Sequence, residues 1–118
     1  VTEDLAALER ERNELDRRIG LARLAARDAW NDRMTEITGR VCDLGLARGL
    51  EVDHQTRKNV VSLKLGGVAV RLGYAEPEYG ASLAVEGRMT RCSFAAQWAV
   101  PSAAVVLALV TALLDEEG

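Results

Sequence analysis

The sequence predicts an α+β domain: a long, coiled-coil-like N-terminal helix, a four- to five-stranded antiparallel meander and a closing apolar helix. Three observations predict it. Apolar and small residues recur every three or four positions through the first forty-odd residues. The period falls to two between Leu46 and Ala96, and residues 103–114 are apolar except for Thr111. A chain of 118 residues has single-domain size. It divides without a linker into 1–45, a long helix for self-association, 46–100, an antiparallel sheet, and 101–118, a buried helix.

In the first segment Leu5, Leu8, Leu15, Ile19, Ala22, Ala26, Trp30, Met34, Ile37 and Val41 form a heptad stripe, with Arg12 completing the row. Thr2 suits a cap, and Glu3 and Asp4 suit the positive end of the helix dipole. Glu14 with Arg18 and Glu36 with Arg40 stand in the favourable i,i+4 order. Gly20 and Gly39 each cost about 1 kcal/mol relative to Ala, so a bend or a close approach is expected near one of them. Gly45 in "CDLGL" reads as the residue that ends the helix. A helix from about residue 3 to about 44 is roughly 60 Å long, more than a compact monomer of this size can cover. We therefore expect a homodimer joined through Leu5, Leu8, Leu15, Ile19, Ala22 and Ala26 of this helix and through Leu109 of the apolar last helix.

Next, "LEVDH" alternates Leu50, Val52 and His54 against Glu51 and Asp53. "VVSLKL" sets Val61, Leu63 and Leu65 against Ser62 and Lys64, and "VAVRL" sets Val68, Val70 and Leu72 against Ala69 and Arg71. "TRKN" and Gly66-Gly67 supply turns, "AEPEYG" a longer loop, and "ASLAVEGRMTRCSF" a further hairpin about Glu86-Gly87. The meander has one apolar and one polar face. After the corner at Trp98–Pro101, a helix begun by Pro101 or Ser102 is apolar all round and must be buried on two sides. One side belongs on the sheet. The other, including Leu109, belongs against the first helix or a second subunit. The run is shorter than the ~20 residues a bilayer span needs.

Composition narrows the function. An apolar content of 48% excludes a disordered chain. Net charge −3 and a pI near 5.2 argue against a nucleic-acid footprint. Thirteen Arg against two Lys match the coding bias of a GC-rich, bacterial genome. Cys42 and Cys92 form no CxxC motif, and no signal-peptide pattern opens the chain, so reduced thiols and a cytoplasmic location are expected.

The only His, His54, points to the opposite strand face from Asp53 and Glu51, which defeats a local acid–base pair. A Cys–His pair with Cys42 or Cys92 would have to be made by the fold. One His and two scattered Cys make no four-ligand metal set, and Asp28, Asp32 and Glu36 read as a solvated helix face. "GGVAVRLG" is no phosphate loop. No catalytic, cofactor or metal residues are assigned. Trp30 and Trp98 are expected as anchors in the core, the interface or a pocket. Arg17, Arg18, Arg23 and Arg27 form a basic stretch that a dimer would present twice, the basis for an alternative reading as a nucleic-acid-binding regulator. In element order and acidity the chain is similar to secretion chaperones and other dimeric adaptors, a likeness of architecture alone. The leading expectation is a non-enzymatic homodimeric protein–protein interaction module: an adaptor, chaperone or assembly factor. A small-ligand binder or enzyme is the third reading.

Overall fold

The structure is a computed structural model and describes residues 2–76, 81–95 and 100–117. The elements are α1 (Thr2–Ala47), β1 (Val52–Arg57), β2 (Val60–Leu65), β3 (Val68–Gly73), β4 (Ser82–Glu86), β5 (Arg91–Ala95) and α2 (Ala103–Glu117). The α+β class and the order helix, antiparallel meander, helix are as the sequence predicts. Pro77 and, in the 98–101 corner, Trp98 and Ala99 lie outside the described residues.

α1 is longer than expected, because Gly45 does not end it. The stop lies four residues on, at Gly49, whose φ of 70° is one that glycine adopts without penalty. Gly49 N–H donates to the Leu46 carbonyl at 3.0 Å and Leu50 N–H to the Gly45 carbonyl at 2.9 Å, the two bonds of a Schellman cap. Gly45 is buried and serves a close approach. A Cβ there would lie 2.5 Å from Val52 Cγ2, so glycine lets α1 sit down on the sheet. Gly20 and Gly39 have nothing within 4 Å, so the expected close approach is at neither. The helix continues through both: 46 residues at about 1.5 Å each span about 69 Å, and the molecule is 72 × 22 × 20 Å.

The strands form one sheet in the order β1-β2-β3-β4-β5, each pair antiparallel. Registers such as Leu63↔Val70 and Val70↔Val85 put the alternating apolar residues on one face. Tight turns at Lys58-Asn59 and Gly66-Gly67 set them, so Thr56 and Arg57, read as turn, belong to β1. Lys58 takes a φ of 56° and Gly66 one of 58° at the first turn position, where glycine fits far more readily. The β4–β5 connection is the four residues 87–90, closed by Gly87 N–H to the Thr90 carbonyl at 2.7 Å.

Only half of α1 packs on this sheet. Trp30, Met34, Ile37 and Val41 are buried with Leu63, Leu65, Val68, Val70, Leu72, Leu83 and Val85. α1 crosses diagonally, from the Gly73 end of β3, where Trp30 Nε1 donates to the Gly73 carbonyl at 2.9 Å, to the Val52–Leu65 end of β1 and β2. Asn31 clamps the Ala75 backbone at both N–H (2.8 Å) and C=O (3.1 Å). α2 lies beside α1 in the same direction over β3 and β4. It is tied to α1 at its start by Arg33 Nη1 to the Pro101 carbonyl (2.7 Å) and at its end by Arg48 to Asp115 (2.8 Å). Its first helical bond, Val106 N–H to the Ser102 carbonyl, makes Ser102 the cap residue.

Candidate functional site

Residues 4–25 of α1 are exposed throughout, apart from half-buried Glu14. The helix therefore continues past its last anchor as an arm roughly 35 Å long. Its stripe is the one that is buried further on. Leu5, Leu8, Leu15 and Ile19 are 47–61% exposed, Ala22 is exposed and Ala26 half-buried where the arm meets the body. A row of large apolar side chains this long in water is unusual for a soluble monomer, which makes the arm the candidate site. Leu21 and Leu24, on the opposite side of the arm and outside the heptad row, are equally exposed. They escaped the sequence reading because they break its period.

The arm's charges are organised locally. Glu14 accepts from Arg17 at 2.9 and 3.3 Å and pairs with Arg18 at 3.4 Å. The Arg17 guanidinium holds the Glu14 carboxyl below the usual carboxylate range, with slight desolvation opposing and Arg18 adding to the effect. Arg27 is near Asp28 at 3.8 Å. At about 100° per residue, Arg17, Arg18, Arg23 and Arg27 spread around the helix and share no single face.

α2 carries a second apolar surface. Val106, Val110, Leu113 and Leu114 are buried, Leu109 is half-buried, and Ala104, Val105, Ala108 and Ala112 are exposed. Within one chain the helix meets both the sheet and α1, and the arc carrying Ala104, Val105, Ala108 and Ala112 stays open to solvent. Trp30 is a core residue, 3% exposed, and anchors the point where the arm leaves the body.

α1 meets β1 at Val52, and the strand is exposed from Asp53 onward. A shallow groove of about 690 Å³ opens there, lined by Cys42 and Leu46 of α1 with Leu50, Val52 and His54. The fold thereby brings Cys42 and His54 to one groove, which their spacing did not announce, but no hydrogen bond joins them. His54 is exposed even though it shares a face with Leu63, its partner across the ladder. Cys92, on β5, is half-buried and, like Cys42, free. Among the described residues no His, Cys, Asp or Glu cluster could hold a metal ion, no polar or charged side chain is fully buried, and no helix is long and apolar enough to cross a membrane. No protein-family model, curated protein or solved structure matches this chain, so the functional reading rests on its own geometry.

Proposed function

We propose that the protein is a non-enzymatic, homodimeric protein–protein interaction module, an adaptor, chaperone or assembly factor working in the cytoplasm. The observation that carries this reading is the arm: a helix held rigidly at its base by Trp30 and Asn31, presenting four large apolar side chains to solvent. Exposed apolar surface is worth roughly 25 cal/mol per Å² when removed from water, so the stripe is a standing drive to associate. When it is covered by a second copy, Leu21 and Leu24 remain on the outer side for another macromolecule. The free thiols of Cys42 and Cys92 support the cytoplasmic setting. The scatter of the four arginines around the helix favours protein over nucleic acid as the partner.

Light scattering at tens of micromolar should return twice the 12.8 kDa chain mass, and Leu15→Asp with Ile19→Asp should return one chain with unchanged strand and core signals. A wild-type mass of one chain overturns the dimer. For the nucleic-acid alternative, binding of random duplex or single-stranded probes at physiological salt should be no tighter than about 10 μM. Sub-micromolar binding that collapses with salt, and on changing Arg18 and Arg23 to Glu, would replace the protein-binding reading.

A further inference from the structure

We propose that two copies pair arm to arm in antiparallel orientation, with Leu8 of one against Ile19 of the other. The proposal rests on the dimer reading above and adds the surface and the direction. In heptad terms Leu5, Arg12, Ile19 and Ala26 take the a positions and Leu8, Leu15 and Ala22 the d positions. Asp4, Glu11 and Arg18 are then the g residues, and Glu9, Asp16 and Arg23 the e residues.

A parallel pair fails on these assignments. Each g residue would face the e residue of the next heptad on the other chain: Asp4 against Glu9, Glu11 against Asp16, Arg18 against Arg23. All three are like-charged. Facing a positions would also set Arg12 against Arg12 at the centre of the apolar seam.

Reversing one arm removes the Arg12 pairing and most of the like-charge contacts. Residues 2–16 hold six acids and two arginines, whereas residues 17–27 hold four arginines and no acid. The arm is therefore an acidic block followed by a basic block of equal and opposite net charge. Antiparallel pairing lays residues 2–10 of each copy, with three acids and one arginine, beside the basic residues 17–25 of the other, twice over by two-fold symmetry, while residues 11–16, with Glu11 and Asp16, face each other at the axis. An a position now faces a d position, so Arg12 meets Leu15, which its methylene stem can cover while the guanidinium stays in water. Leu5 meets Ala22. The sheets and α2 helices sit at opposite ends of the paired arms, where they cannot collide. The exposed face of α2 carries no comparable self-complementary charge, so the arm is the surface assigned to the second copy.

The full chain with Cys42→Ala and Cys92→Ser, spin-labelled at Ala25→Cys, reads the direction by dipolar electron resonance. Residue 25 of one copy lies level with residue 2 of the other, so the labels should be about 35 Å apart at ~1.5 Å of rise per residue. A parallel pair, with axes 8–10 Å apart, would put them under about 20 Å. Independently, Arg18→Glu with Arg23→Glu should weaken dimerisation at least about tenfold, which is ~1.4 kcal/mol. Adding Glu9→Arg and Glu11→Arg to that chain should restore it. The melting temperature of the sheet body, measured on each variant as a monomer, should not move. A dimer with labels under about 20 Å apart overturns the direction and leaves the dimer standing. A dimer indifferent to the charge reversal overturns the arm as its surface. A monomeric wild type overturns this proposal and the dimer reading together.

Discussion

Ile19 and Ile37 are eighteen residues apart, five turns of an ideal helix, and so point in the same direction from α1. Ile19 is 47% exposed and Ile37 is fully buried. The sequence treats them alike, as members of one stripe with one spacing. What separates them is only where the sheet stops. Beyond Trp30 the helix has no strand beneath it, and the same apolar pattern changes from core into surface. A helix stripe thus specifies that something will be covered, not what covers it.

The largest expected effect tests that comparison directly. Ile37→Ala should lower unfolding stability by about 2–5 kcal/mol, the usual range for truncating a fully buried aliphatic side chain. Ile19→Ala should cost no more than about 0.5 kcal/mol in protein diluted to the monomer. Urea titrations of the two variants, run at several protein concentrations, give both numbers. Equal losses in dilute protein would mean that the arm is not free in the single chain.

Next comes the joint between the two regions. Trp30→Phe removes the donor to the Gly73 carbonyl and leaves a buried acceptor unpaired, at an expected cost of about 1–3 kcal/mol. The same denaturation experiment measures it, and a cost near zero would show that packing alone holds the base of the arm.

The glycines sharpen the contrast further. Gly45→Ala drives a methyl into Val52 and Leu65 and should destabilise by about 1–3 kcal/mol. Gly39→Ala meets open space in mid-helix and should stabilise by up to about 1 kcal/mol. Thermal melts of the pair should move in opposite directions.

The smallest effect lies in the arm. Because Arg17, aided by Arg18, lowers the carboxyl pKa of Glu14, the stabilisation it provides is fully present above the unfolded-state pKa. It fades as pH falls through the lowered, folded value. The pair is exposed, so the change is small. The helical circular dichroism difference between wild type and Glu14→Gln should be present near neutral pH and vanish on the acid side. A difference that persists unchanged to low pH would assign the effect to something other than the carboxylate.

Most of the architecture was legible because it follows from local rules. Alternation alone places Leu63, Val70 and Leu72 on one face, and the Gly66-Gly67 turn sets their register. Gly45 misled because two properties of glycine, tolerance of positive φ and absence of a side chain, read identically in a sequence. The fold uses the first at Gly49 and the second at Gly45. The candidate site was legible only in part. The heptad row marked Leu5, Leu8, Leu15 and Ile19, but Leu21 and Leu24 fall outside any period, and the meeting of Cys42 with His54 depends on a chain path.

The sequence by itself determined the elements, their faces and the segregation of charge along the first helix, because each depends on neighbours within one or two turns or one hairpin. Tertiary structure alone decided which half of the α1 stripe is core and which side of α2 meets solvent, and that α1 runs diagonally, leaving a groove beside β1. Those outcomes depend on the angle and extent of packing between elements far apart in the chain. That angle is set by where a missing Cβ at Gly45 and a hydrogen bond from Trp30 let the helix come to rest on the sheet.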